Sequence, residues 1–351
     1  MSIATEPSRR RRRGHGRPTL HDVAEVAEVT RITVSRFLRQ PELVARETAE
    51  RIGRAIEEIG YVPNRQAGQL ASGLSQIVAA LIPNVGHSIF AETIQGLSEG
   101  LHDSGYELLL LSTGYSLERE EQQLRTLGGW SPVALVVTGR RHTPGALRLL
   151  QGAQANGTRV IEIWDRRGDA DAVDGFAQIG FDHADVGKSM ARHLLAQGHR
   201  SMAYVDSGVA EDYRAHERGK GFAAQARAGG AAVKTLRAAT GDAFDAGRRM
   251  LPQLLETKAT AVAFANDHLA CGALMQARAQ GVEVPGRLAL LGFGDFPIGR
   301  QLTPALSTMR PPTAEIGRAA AAAVLAAIAD DTEPESIALP CELIARGSSV
   351  A

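Results

Sequence analysis

Arg31, Thr33, Ser35 and Arg36 place two guanidinium groups and two hydroxyls within six residues, with Ile32 among them and no carboxylate. That combination suits a nucleic-acid duplex: arginine pairs with guanine edges, hydroxyls hold phosphate oxygens, and an aliphatic side chain meets a thymine methyl. A second set of cations lies far along the chain. Arg214 and Arg218 are four residues apart, so on a helix they share a face and can clamp a carboxylate or phosphate through charge-assisted hydrogen bonds. Arg140 is a third candidate for the same anion. An arginine pair on a solvated helix surface would do nothing of the kind, so the elements that carry these residues decide their use.

The first set sits on the second of two short helices. Thr19 is placed to cap the first, Asp22 completes a capping-box-like pair, and Leu20, Val23, Ala24 and Ala27 recur at helical spacing. Thr30 is placed to cap the second, whose Val34, Phe37 and Leu38 point inward. Such a helix can enter the major groove with Arg31, Ile32 and Arg36 toward the bases, while Thr19, Thr30, Thr33, Ser35 and Arg39 hold the backbone. A third helix after Pro41 carries Ala49, Ile52, Ile56 and Ile59 on one face and leads into Tyr61-Val62-Pro63-Asn64-Arg65. Many small amphipathic helices merely cover a core, so the pair alone leaves both readings open.

The stretch from Thr19 to Gly73 resembles the headpiece and hinge of LacI-type transcriptional regulators, chiefly through TVSR and through YVPNR with the helix before it. The resemblance implies an all-α helix-turn-helix headpiece at 18–62 and a hinge at 63–74. In that family paired hinge helices of a homodimer enter the minor groove and a leucine wedges the central base step. Leu70 matches the wedge, with Ala67 and Ala71 on its face and Asn64 just before it. Gly68 and Gly73 each weaken a hinge helix by about 1 kcal/mol relative to Ala, as suits a segment that forms only on DNA. An ordinary linker with one exposed leucine is the plainer alternative. Two positions depart from the family: Glu28 stands where the turn usually has Gly, which implies positive φ, and Ala45 replaces the expected Ser cap of the third helix.

The chain has 351 residues and no net charge, which by itself argues against a nucleic-acid partner. The distribution reverses that argument. Residues 1–74 carry 13 Lys+Arg against 9 Asp+Glu, a net +4, leaving 26 against 30, a net −4, from the chain's 39 of each. Residues 1–17, with Arg9 to Arg13 and Arg17 and no periodicity, read as a disordered basic arm that adds phosphate contacts or merely solubilises. Cys271 and Cys341 show neither disulfide nor zinc spacing, and no metal or other cofactor is expected. The start lacks a secretory apolar core, and the longest apolar run, Ala319 to Ala329, is too short to span a bilayer, so a cytoplasmic protein without a membrane partner is expected.

Beyond residue 75, apolar runs of strand length alternate with amphipathic stretches: 77–82, 106–112, 134–138, 159–164, 176–181, 201–205, 260–265 and 288–293. Continuous apolar strands between helices imply parallel sheets covered on both faces, and eight are too many for one small sheet. The expected core is therefore an α/β, two-lobed, periplasmic-binding-protein-like fold with two doubly wound parallel sheets. Its first lobe would take about 75–175 and 310–335, its second about 176–309 and 336–347. Ligands of such sheets bind beyond the carboxyl ends of the strands. Those ends deliver Asn84 and Phe90, Arg140, Asp165, Asp182, Asn266 and Asp295.

Arg218 before Gly221-Phe222 matches an effector-binding arginine of LacI-type proteins, and Asn266 in ANDHLACGA matches their ligand-contacting asparagine. Within the family RHTP (141–144), GFDHADVGK (180–188), GHRSMAYV (198–205) and PALSTMRPP (304–312) are most similar to the gluconate-operon repressor subgroup. Gly294 stands where sugar-binding members usually have an Asp that holds ring hydroxyls. With the arginines, this favours a sugar acid such as gluconate or a phosphorylated derivative over a neutral sugar. The effector set is thus Phe90, Arg140, Asp165, Arg214, Arg218, Asn266 and Asp295. An enzyme is the competing class, but no nucleophile elbow, phosphate loop or HExxH occurs, and His142, His183, His199 and His268 read as helix-start or surface residues. An exported solute-binding protein would share the fold but needs a signal peptide.

Overall fold

A computed structural model describes residues 18–62, 76–86, 89–166 and 175–350, the side chain of Arg39 excepted. The expectations for the basic arm (1–17) and the hinge (63–74), including Asn64, Ala67, Leu70 and Ala71, lie outside the described residues. The chain divides into two compact units between Leu74 and Ser75.

The first unit contains α1 (Leu20–Val26), α2 (Arg31–Arg39), a 3-10 turn (Pro41–Leu43) and α3 (Arg46–Ile59). Thr19 caps α1 in a full capping box with Asp22, and Thr30 caps α2 by accepting from the Thr33 amide at 3.2 Å. These side chains satisfy orphan amides that packing alone would leave bare. Glu28 in the turn has φ 51°, a left-handed conformation at a non-glycine residue. No side chain caps α3 at Ala45, and Gly60 ends it with φ 62°. Val23, Ala24, Val34, Ile52, Ala55 and Tyr61 form the buried centre, with Phe37, Leu38, Ile56 and Ile59 packed around it.

The second unit runs β1 (Ile77–Ile82), α4 (Ala91–Leu101), β2 (Glu107–Ser112), α5 (Leu117–Gly128), β3 (Ala134–Thr138), α6 (Pro144–Ala155), β4 (Arg159–Ile163), β5 (Ala177–Gly180), α7 (His183–Ala196), β6 (Ser201–Asp206), α8 (Tyr213–Ala228) and β7 (Ala232–Arg237). It continues with α9 (Ala243–Glu256), β8 (Ala261–Phe264), α10 (Asp267–Ala279), β9 (Ala289–Phe293), α11 (Pro297–Gln301), β10 (Ser307–Arg310), α12 (Thr313–Ala329), β11 (Ile337–Ala338) and β12 (Glu342–Ile344). Two six-stranded sheets result, ordered β11-β5-β4-β3-β1-β2 and β12-β10-β9-β8-β6-β7. All pairs are parallel except β12 against β10. Along β1 the side chains alternate between layers: Val78, Ala80 and Ile82 pack with Leu97 and Leu101 of α4, Ala79 and Leu81 with Leu124, Leu127 and Leu150 of α5 and α6. Burial on both faces is why these strands are continuously apolar.

Three details differ from the sequence expectation. β5 pairs with β4, so 177–180 belongs to the first lobe and not the second; strand composition does not tell a chain when to change sheets. β10 stays in the second sheet through Arg310, and β11 returns to the first before β12 rejoins the second. Strands β7, β10, β11 and β12 were missed because β7 is a half-exposed edge carrying Lys234 and Arg237, β10 opens with Ser-Thr, and the last two are very short. Among the described residues no helix is long and apolar enough to cross a membrane.

Candidate functional site

On α2, Arg31 and Arg36 are exposed and Ile32 keeps 73% of its surface in solvent. An aliphatic side chain so exposed is spent on no core contact and is available to another molecule. Val34 on the opposite side is fully buried and fixes the rotation of the helix. Thr30 and Thr33 hydroxyls lie 2.9 Å apart, and Thr33 and Ser35 are half-buried. The Thr19 amide donates to Asp22 at 2.7 Å, which sets the start of α1.

In the second unit the carboxyl ends of β1, β4, β8 and β9 enclose a cavity of about 130 Å³ between the lobes. Asn84, Phe90, Tyr115 and Trp164 line it from the first lobe; His183, Arg214, Arg218, Asn266, Phe293 and Phe296 line it from the second. Both strand orders switch direction beside the first strand of the lobe, which opens the crevice. Arg214 and Arg218 are buried on one face of α8. The Arg214 guanidinium lies 5.8 Å from the Phe90 ring centre and donates to the Thr138 carbonyl at 3.4 Å. Arg218 stacks 4.0 Å over Phe293 and donates to the Ala265 carbonyl and to His183 Nδ1, both at 2.9 Å. Among the described residues neither guanidinium has a carboxylate ion-pair partner, although the Asp212 carboxylate borders the cavity. Two buried cations facing a small cavity have the chemistry to hold an anion.

α7 and α8 are brought together by glycine. A Cβ on Gly187 would lie 1.9 Å from the Arg218 carbonyl oxygen, and one on Gly221 2.0 Å from that of Ala184. Only bare backbone allows this approach, and it sets His183 beside Arg218.

Two family models match the chain: "Bacterial regulatory proteins, lacI family" over residues 19–64 and "Periplasmic binding protein-like domain" over 191–349. The HTH-type transcriptional regulator GntR of Pseudomonas aeruginosa is 36% identical over 95% of this chain and 96% of its own length. The Escherichia coli K12 regulator of the same name is 31% identical over 95% and 98%. A crystal structure of a LacI-family transcriptional regulator from Silicibacter pomeroyi superposes with TM-score 0.86 at 31% identity, covering 95% of this chain and all of that one. The chain belongs to the LacI family of bacterial regulatory proteins. It is a DNA-binding transcriptional regulator, and its relatives are regulators rather than enzymes.

For this LacI-family protein the residues anticipated from sequence divide into two groups. Phe90, Arg214, Arg218 and Asn266 line the cavity. Arg140, Asp165 and Asp295 do not. Arg140 pairs with Asp165 within the first lobe and with Glu217 across the lobes, and the Tyr213 hydroxyl of the second lobe donates to Asp165. Burial raises Asp165 to about 6 against the opposing pull of Arg214, Tyr213 and Arg140. Asp295, at φ 50°, is held by Arg346, Arg300 and Arg310 at 2.6 to 2.7 Å; burial opposes its charge, but these bonds keep its carboxyl below the usual range. Asn266 spends its side-chain oxygen capping α10 at the Leu269 amide, which leaves its amide nitrogen for the cavity.

Sequence reasoning missed Tyr115, Trp164, His183, Asp212, His268 and Phe296. His183 does start a helix but is buried, contrary to a surface reading, and His142 is buried as well. The signal was available for His183: it directly follows a strand whose end faces the cleft. Gly294 has φ 135°, and a Cβ there would meet the Phe296 ring at 2.9 Å. The backbone at this position is packed against a phenyl ring and has no room for a side chain.

Proposed function

We propose that the protein represses sugar-acid catabolism genes and that a sugar acid such as gluconate, or a phosphorylated derivative, controls its operator binding. The observation that carries the ligand class is the pair Arg214 and Arg218, buried in the cavity wall without carboxylate partners among the described residues. A neutral sugar would offer the two guanidinium groups only neutral acceptors, with Asp165 and Asp212 acting on Arg214 from beyond ion-pair distance, whereas one carboxylate can take hydrogen bonds from both. Relatives named GntR agree with the subgroup motifs.

A homodimer presents two α2 helices to a palindromic operator with half-sites about one helical turn apart or slightly less. Arg31, Ile32 and Arg36 read bases; Thr19, Thr30, Thr33, Ser35 and Arg39 hold the backbone; Asn64, Ala67, Leu70 and Ala71 act in the minor groove. Effector alters the lobe arrangement, and its differential affinity for two arrangements is all that allostery requires. Isothermal titration against gluconate, 6-phosphogluconate and neutral hexoses tests the ligand class. Binding of a sugar acid is expected, and binding of a neutral hexose alone refutes it. Arg218→Ala should remove the effector response in gel shifts while leaving operator affinity in place.

A further inference from the structure

His183 joins the two lobes through a single imidazole. Its Nε2 lies 2.8 Å from the carbonyl oxygen of Trp164, at the end of β4 in the first lobe. Its Nδ1 lies 2.9 Å from Nη1 of Arg218 on α8 in the second. A carbonyl only accepts and a guanidinium only donates, so the ring must be neutral, with its proton on Nε2 and a lone pair on Nδ1. Burial, then the nearby charges of Arg218 and Arg214, hold the imidazole well below its ordinary pKa.

The Trp164 end of this chain of bonds is over-determined. Trp164 is fully buried at φ 68°, a conformation a bulky side chain rarely adopts. Its amide donates to the Ile179 carbonyl at 3.0 Å. Its indole donates to the Thr93 hydroxyl at 3.0 Å, which donates to the Thr313 carbonyl at 2.8 Å. Three elements of the first lobe thus fix where the carbonyl points. The Arg218 end has one further hydrogen bond, to Ala265, and its stacking on Phe293, while its buried Nε has no hydrogen-bond partner among the described residues.

We infer that His183 is a positioning residue that makes the orientation of Arg218, and hence effector affinity, depend on the lobe arrangement. When the lobes part, the Trp164 carbonyl leaves and the imidazole keeps only its bond from Arg218. The ring can then turn about its side-chain torsions and withdraw the Nδ1 lone pair from the guanidinium. Arg218 keeps its Ala265 and Phe293 contacts in either arrangement but gains His183 as a fixed acceptor while the lobes are together, so an anion bound there favours that arrangement in return. This inference rests on the sugar-acid reading for its ligand, but its proton placement does not.

Two substitutions separate the two ends. In His183→Asn the side-chain oxygen takes the place of Nδ1 and keeps an acceptor for Arg218, while the donor to Trp164 is lost. In His183→Gln the amide nitrogen takes the place of Nε2 and keeps that donor, while the acceptor is lost. With D-gluconate as probe, His183→Gln should weaken binding about tenfold, the cost of one bond to a charged group. His183→Asn should bind within about threefold of wild type by the same reasoning, yet release a selected operator fragment less completely at saturating gluconate. Nitrogen NMR of histidine-labelled, ligand-free full-length protein should show His183 as the Nε2–H tautomer.

The opposite tautomer or a doubly protonated ring would overturn the inference. So would equal losses of affinity in both variants alongside equal losses of melting temperature, the mark of a purely structural histidine. If the wild-type protein ignores gluconate, the ligand proposal fails, and the tautomer still decides the role of His183.

Discussion

Nη2 of Arg140 lies 2.8 and 2.7 Å from the two carboxylate oxygens of Glu217, joining the loop after β3 in the first lobe to α8 in the second. Arg141 reaches the same carboxylate at 3.0 Å and lies over the Tyr213 ring. One anion therefore serves two guanidinium groups beside the effector cavity. Glu217→Ala leaves both without it and should cost about 1–3 kcal/mol, since the side chains of Arg140 and Glu217 are only 13% and 18% exposed. A lowered urea midpoint of the second unit checks the cost, and a double-mutant cycle with Arg140→Ala should return a coupling energy clearly above zero.

His142 bridges two carboxylates inside the first lobe, with Nδ1 2.6 Å from Glu120 and Nε2 3.2 Å from Glu162. Burial disfavours the imidazolium, but hydrogen bonds to both glutamates outweigh it and raise the pKa to about 9. A folded value above the unfolded one means that the stabilisation is full below pH 6.5 and is lost as the pH rises toward 9. The loss should be on the order of 2–3 kcal/mol. Urea melts at intervals across this range should show the decline, and His142→Gln should flatten it.

Arg36→Ala should relax base preference at one operator position by about 1–3 kcal/mol, read from binding to a randomised fragment library. Ile32→Ala should weaken operator binding without moving the melting temperature, because the side chain is already in solvent.

Glu28→Gly should stabilise the headpiece by up to about 1 kcal/mol, because glycine adopts the φ of 51° without the Cβ clash. Thr30→Ala should destabilise it by about 1 kcal/mol through loss of the α2 cap. Thermal melts of the intact chain, followed by a probe in the headpiece, distinguish the two signs.

Local chemistry made much of this legible in the sequence. Thr19, Thr30 and Glu28 could be read because caps and turns depend on residues within four positions. Continuous apolar strands revealed parallel sheets because both faces are buried. What the sequence hid is relational. Arg140 and Asp165 stand at strand ends just as Phe90 does, yet Glu217 and Tyr213, far along the chain, occupy them outside the cavity. Asp295 stands at a strand end too, but Arg300, Arg310 and Arg346 close on it, the last from 51 residues away. His183 was set aside because its environment is made by Trp164 and Arg218, neither of them its neighbour in sequence.

The chain passes between the sheets three times, after β5, after β10 and between β11 and β12. These tethers lie side by side, β11 beside β5 and β12 beside β10, so the lobes are joined along one border, like two covers along a spine. A cut in one tether leaves the halves bound by two others. Change in the cavity wall can therefore alter which metabolite is sensed without altering the direction in which the message moves.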